Sequence, residues 1–520
     1  MNDRKGTIGI IGAGVTGLAA GCYARMNGYD TTIFESHHIP GGLCTSWKKG
    51  DDYTIDGCIE WLVGVAPYGP LHQGWLELGA LQGKRIVHPE VFMTYEAEGK
   101  ALHLYSDVDR LEKHLLGFSP QDAKPIHRLT DAIRLFARLD KWNFHWDDLP
   151  LAPVYLEKAV WALRTNFRRF SLQFKDPFLR NFFGTVFGMP EMSILMLITP
   201  LGWHHNKNGG YPIGGSLEFA KSIEARYRGL GGKVQYEAKV EKILEMNGKV
   251  FGLELADGTE HYFDRILAAG DGHMTFERLL ENRHNDEELY QRFKNLKPFN
   301  PIVVCSYGVR RDMSHEPHGL LLPLDPPLEV AGKPQKYLYV RHYAHDPTLA
   351  PRGRTIVKVS FQTDYGYWKA LHADPARYEA EKHGLSRKVL ALLDKRFLGI
   401  TSQVEVTDVA TPTTFERYTH NWRGSIEGWL PDLKSFLKPL PKTLKGLRGL
   451  YFAGQWVQPG GGLPTCLMTG KDIIKRICRE DGKAFTTNLP PEGPAQGGPL
   501  PDPVGEKDPT YSEELFAHKD

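Results

Sequence analysis

Gly12-Ala13-Gly14-Val15-Thr16-Gly17 has the residue types and spacing to hold a diphosphate. Phosphate oxygens need N–H donors at close range, and a Cβ in the way keeps them off. Gly12 permits a tight turn, Gly14 lets the backbone close on a pyrophosphate, and Gly17 lets a following helix pack on the preceding strand. Val15 and Thr16 lead into that helix, whose free N–H groups and partial positive charge face the same anion. Glu35, with Ser36 beside it, stands where a carboxylate accepts bonds from ribose hydroxyls. This is the chemistry of a bound dinucleotide.

The elements that must position these residues are legible around them. Thr7 to Ile11 is an apolar, β-branched run, expected as a buried parallel strand. A helical pattern from Leu18 to Met26 stops at Asn27-Gly28. Thr31 to Phe34 is a second strand that ends in Glu35. Strand, glycine turn, helix, strand and acid in this order make a Rossmann-like unit, equally suited to NAD or FAD.

Further glycine-rich segments separate the two. Ile39-Pro40-Gly41-Gly42-Leu43 comes just after Glu35. Far along the chain, the strand Gly449 to Ala453 runs into Gly454, then Pro459-Gly460-Gly461-Gly462-Leu463-Pro464 and a helix to about Cys478. Gly210-Tyr211-Pro212-Ile213-Gly214-Gly215-Ser216 precedes a helix and a strand near Val234, with Val240 following. Leu267-Ala268-Ala269-Gly270-Asp271 is another strand end.

These segments, in this order, resemble the phytoene desaturase-like flavoproteins, which include carotenoid desaturases, carotene isomerases and retinol saturases. The resemblance covers most of residues 7–480 and implies an α/β fold. Its parts would be a Rossmann-like FAD-binding domain of the GR2 type, a mixed-sheet substrate domain and a helical lid. It implies FAD as cofactor, held by Gly12, Gly14, Val15, Thr16, Gly17, Glu35, Ser36, Gly41, Gly42, Leu43, Val240, Gly270, Gly454, Gln455, Gly461, Gly462, Leu463 and Pro464. Many relatives carry an acid at the position of Gln455, so a charged contact to the ribityl chain is lost here. The expected domains are 1–80, 205–280 and 440–480 for FAD, 81–105 and 281–439 for substrate, and 106–204 for the lid, with a flexible tail over 481–520.

The resemblance also implies the activity: desaturation, saturation or isomerisation of C–C double bonds in a long apolar isoprenoid, by hydride transfer at flavin N5. A flavin amine oxidase and a flavin-bound protein without turnover are the alternatives. No nucleophile is required. His204 and His205 are candidates for moving a proton, or else structural histidines. Trp203, Tyr365 and Trp456 are candidates to touch substrate. Tyr367 and Trp368 could line a tunnel or simply fill the core.

Within the lid, Leu156, Val160, Leu163, Phe167, Phe170 and Phe174 recur at alternating spacings of four and three. They predict one helix face over 155–175, flanked by Lys158, Arg164, Arg168, Arg169 and Lys175. A basic amphipathic helix of this kind meets an anionic membrane or packs on the core. The net charge of +2 gives no global field for nucleic acid. Six cysteines without a C-x-x-C pair argue against zinc and a disulfide framework. With no signal-type apolar segment, the expected location is the cytoplasm or a membrane face, with a lipophilic partner and an unidentified electron partner.

Overall fold

The computed structural model describes residues 6–141, 152–284, 286–430 and 440–491. The first strand, β1 (Thr7–Ile11), buries Ile8 and Ile10 completely and lies between two parallel neighbours. One is β2 (Asp30–Phe34), the other Arg265–Ala268. Lys233–Gln235 extends the sheet beyond β2, and Leu447–Phe452 extends it beyond Arg265–Ala268, both in parallel. An antiparallel hairpin, Val240–Met246 with Lys249–Leu255, closes the far edge.

The helix α1 (Val15–Met26) crosses back over this sheet, buried from Val15 to Ala24. The C-terminal helix Gly462–Glu480 packs on it through Ile473, Ile474 and Ile477, each fully buried. Burial of side chains of this size contributes about 1.5–3 kcal/mol each. The crossing is close because position 470 is glycine: a Cβ there would stand 3.0 Å from the Thr16 carbonyl oxygen.

A second, seven-stranded sheet runs Val404–Ala410, Ile302–Val309, Thr355–Gln362, Lys333–His342, Gly319–Val330, Val91–Ala97 and Lys100–Tyr105. It is antiparallel except where Gly319–Val330 meets Val91–Ala97. Its strands Ile302–Val309 and Thr355–Gln362 carry apolar runs around Val303 and Val357.

Residues 108–205 are helical over most of their described length, around an aromatic core that includes Phe170, Phe174, Phe182 and Phe183. The single helix expected over 155–175 is two. Ala152–Arg164 ends, Asn166 accepts the Arg169 N–H at 2.8 Å, and a short helix Phe167–Ser171 begins. The break splits the apolar stripe: Phe167, Phe170 and Phe174 are buried, whereas Leu156 and Leu163 are 66% and 47% exposed.

The first part of the expected tail, residues 482–491, runs against α1. Phe485 lies 5.9 Å from the Tyr23 ring, and the Thr486 N–H donates to Asn27. Residues 492–520 lie outside the described residues.

Candidate functional site: a flavin cleft between two sheets

At the end of β1 the backbone turns through Gly12, with φ at 97°, and its N–H donates to the Phe34 carbonyl at 2.8 Å. A Cβ on Gly17 would stand 2.0 Å from the Gly12 carbonyl oxygen, so only glycine fits there. Gly14 caps α1 with no side-chain bond, and the first turn holds no acid. Val15 and Thr16, both buried, therefore begin a helix whose N-terminal N–H groups are left for an anion.

Glu35 is 8% exposed. Its Oε2 accepts the Ala13 N–H at 2.7 Å and its Oε1 the His37 N–H at 2.9 Å, with the Ser36 hydroxyl at 3.3 Å. The carboxylate thus fixes the glycine turn. Ala238 donates to the Glu35 carbonyl at 2.8 Å, which brings the start of the Val240 strand to the same end. Gly270 follows Ala269, whose N–H donates to Ile11 at 3.1 Å.

Gly41 joins this turn from outside. Its N–H donates to the Ala13 carbonyl at 2.9 Å, and it pairs with Gly14 as a bridge. Its φ of 108° and a Cβ position 2.2 Å from the Cys44 carbonyl require glycine. Gly42 and Leu43 complete the loop, and the buried Thr45 hydroxyl just beyond has no hydrogen-bond partner among the described residues. An orphaned hydroxyl beside an uncapped helix start suits a polar, anionic cofactor.

The other half of the chain returns to the same place. Gly454, with φ at 106°, donates to the Thr469 hydroxyl at 2.8 Å, and a Cβ on it would stand 3.1 Å from Thr16 Oγ1. Gln455 is half-buried, and a Cβ on Gly428 would stand 2.0 Å from its carbonyl oxygen. Gly461 caps the C-terminal helix with no side-chain bond, and Gly462, Leu463 and Pro464 form its first turn, again without an acid. The two helix starts are uncapped, glycine-lined and linked through the Thr16 contact with Gly454. These residues fit FAD.

Several side chains here carry no sequence motif. Glu427 packs along the Gly461 loop, and a Cβ on Gly461 would stand 2.8 Å from its Oε2. Burial raises its pKa from 4.5 to about 7, and it has no hydrogen-bond or ion-pair partner among the described residues. Lys358, on the strand Thr355–Gln362, is buried and donates to the Asp56 carbonyl at 2.7 Å and the Tyr343 hydroxyl at 3.1 Å. Asp56 accepts the Ser216 N–H and hydroxyl, each at 2.6 Å, and so ties the helix Gly215–Gly229 to the cleft. A lysine inside the apolar run Ile356 to Val359 is the signal that could have found this contact.

The sequence candidates for proton transfer and substrate contact are scattered. His204 is buried between Trp61 and Phe92, with ring centroids 5.3 and 5.1 Å away. Neither of its ring nitrogens has a partner among the described residues, and burial lowers its pKa to about 3, so it is neutral. His205 turns to the start of the helix Val108–Phe118, where Nδ1 accepts the Val108 N–H at 3.3 Å. Trp203 lies 5.8 Å from Trp61 and donates to Asp140. Tyr365 donates to Glu416 at 2.7 Å, and Trp456 donates to Asn421 at 3.2 Å within an aromatic group with Trp429 and His273. Trp368 is fully buried and bonds Thr363. Of these residues, Trp203 and His204 share one surrounding; Tyr365 and Trp456 sit elsewhere.

Comparison with known proteins agrees with this geometry. Residues 15–477 match the family described as flavin containing amine oxidoreductase. The chain is 24% identical to the chloroplastic prolycopene isomerase of Arabidopsis thaliana, over 91% of this chain and 82% of that one. It is 26% identical to the neurosporene-forming phytoene desaturase of Rhodobacter capsulatus, over 91% and 94%. Among solved structures, cyclohexylamine oxidase from Brevibacterium oxydans superposes with a TM-score of 0.59 at 15% identity, over 92% of this chain and 100% of that one. This last likeness is one of fold. The chain therefore belongs to the flavin-containing amine oxidoreductases, as an FAD-dependent oxidoreductase whose full-length distant homologues are carotenoid desaturases and prolycopene isomerases.

Proposed function

We propose that this protein desaturates, saturates or isomerises C–C double bonds of a long apolar isoprenoid. The end-to-end similarity to a phytoene desaturase and a prolycopene isomerase carries the reading. Bound FAD supplies a hydride acceptor and donor at N5. The chain's residues do the rest. The turn at Gly12 to Gly17 and Glu35 hold the ADP half. The C-terminal helix start stabilises negative charge at the ring's pyrimidine end. Glu427, beside that loop with its pKa raised by burial to about 7, is the carboxyl that gives the proton to the second carbon in saturation, when protonated, and takes it from that carbon in desaturation, when ionised.

Such a lipid is drawn from a membrane. No described helix is long and apolar enough to cross one. The exposed Leu156, Val160 and Leu163, with Lys158 and Arg164 on the same helix, form a short surface for contact with an anionic bilayer. Flotation with anionic liposomes should carry the protein upward, and replacing the three residues with aspartate should leave it at the bottom. A wild type that stays unbound ends the membrane contact.

Mass spectrometry of lipid co-purifying with the protein tests the activity's substrate class. An isoprenoid bound to the flavoprotein is expected. A protein that holds FAD and reduces it with amines, but binds no isoprenoid, contradicts the reading.

A further inference from the structure

Three of the chain's six cysteines come together at the flavin loops, and the reaction proposed above uses none of them. All three are free thiols. Two are placed by a hairpin. Ser46–Lys49 pairs antiparallel with Tyr53–Asp56, with Ser46 opposite Asp56. The Gly57 N–H donates to the Thr45 carbonyl at 2.9 Å and carries the pairing one residue further. Cys44 and Cys58 are the next pair along. They fall where the two chains share no backbone bond, and such pairs hold their Cα atoms about 4.5 Å apart. A disulfide spans about 4.4–6.8 Å between Cα atoms, so this pair can close one without moving the backbone. The two thiols are already in hydrogen-bond contact with each other.

The third thiol ties the pair to the cofactor site. Cys466 stands in the second turn of Gly462–Glu480 and bonds Thr16 at the start of α1. Cys44 closes the group from the other side. Its carbonyl lies against Gly41, and its thiol donates to the Ser216 carbonyl at 3.4 Å. The cluster thus sits where the two uncapped helix starts meet. It is not a metal centre: among the described residues no group of His, Cys, Asp and Glu could hold a metal ion.

The sulfurs differ in reach and in charge. Cys44 is buried, and the Cys58 contact together with burial holds its pKa well above the usual thiol range. Burial raises that of Cys466 to about 11. Cys58 is half-buried, so a reagent from solvent meets its sulfur first. A lasting thiolate at Cys44 would be costly there, whereas a disulfide is neutral.

We propose that Cys44 and Cys58 are a redox-active pair that exchanges two electrons with the flavin and with a dithiol from solution. In the reducing direction both S–H bonds break and one S–S bond forms, while oxidised flavin takes the electron pair and two protons. The external dithiol then attacks the Cys58 sulfur, and the Cys44 sulfur leaves and takes a proton. The dithiol's second sulfur displaces Cys58, which is protonated in turn, and the dithiol departs as its own disulfide. This rests on FAD in the cleft and not on the isoprenoid reading, which stands whatever the outcome.

The test uses the purified FAD-bound protein. Oxidation with diamide and digestion without reductant should yield a peptide holding Cys44 joined to one holding Cys58, found by mass analysis. In an anaerobic titration, dithiothreitol should bleach the wild-type flavin band near about 450 nm. Cys44→Ser and Cys58→Ser should slow that bleaching at least about tenfold. Cys466→Ser should match wild type. Light with EDTA should bleach the flavin equally in all four proteins, because that route needs no thiol. Should Cys44→Ser fail to fold, Cys58→Ser at the half-buried position decides. No Cys44–Cys58 link, a link to Cys466 in its place, a wild type that dithiothreitol leaves oxidised, or a Cys58→Ser variant bleached at the wild-type rate overturns the inference.

Discussion

Single residues set the flavin end of this molecule, and there the sequence speaks most clearly. Gly17 faces the Gly12 carbonyl oxygen with no room for a Cβ. Gly17→Ala should therefore yield folded protein that has lost most of its FAD, read by the visible spectrum and by cofactor released on denaturation. These glycines were legible because a motif of neighbouring residues specifies one backbone path. Glu427 and Lys358 were not. Glu427 meets the Gly461 loop, and Lys358 the Asp56 carbonyl, only in the packed fold. Glu427 has a consequence for stability. Its pKa is raised by burial from 4.5 to about 7, so the folded state holds the proton more tightly than the unfolded one. The stability this confers is full below 4.5 and is lost as pH rises through about 7. Asp271, raised by burial from 3.8 to about 7, acts in the same direction. Glu427→Gln stays neutral throughout. Without FAD, its melting temperature should exceed that of wild type at about pH 8, by the equivalent of about 1–3 kcal/mol, with the gap closing towards about pH 5. Parallel curves for the two proteins would refute the assignment.

At the scale of elements, β1, α1 and β2 fall where apolar patterning places them. The lid helix does not. A stripe at helical spacing ran straight through a break, because Phe167 and Phe170 continue the period in a new helix and Phe174 lies just beyond its end. Asn166 was the available signal, since asparagine at a helix start bonds the third N–H beyond it. Asn166→Ala should cost about 1 kcal/mol. Phe170→Ala, which empties the centre of the aromatic core, should cost about 3–5 kcal/mol. Denaturant melts of the two variants check the order. An equal, small loss in both would mean that Phe170 does not anchor the lid.

The whole molecule joins two sheets whose strands are interleaved in sequence. Residues near both termini meet at Gly470 on α1, and the segment after Gly454 finds Thr16. That closure brings the uncapped starts of α1 and the C-terminal helix together. Order of segments was enough to expect the parallel nucleotide-type sheet and the mixed sheet; which side chains face each other was not, since that depends on which faces of distant strands meet. The central claim is that the flavin acts on carbon–carbon bonds of an isoprenoid. The direct measurement is anaerobic incubation of the FAD-bound protein, oxidised and photoreduced, with the isoprenoid it carries, followed by chromatography and mass analysis of the lipid. The account predicts loss or gain of a pair of hydrogens with matching change in the flavin spectrum, or an isomer of unchanged mass formed by the reduced protein alone. A lipid recovered unchanged, alongside flavin that amines reduce, would contradict it.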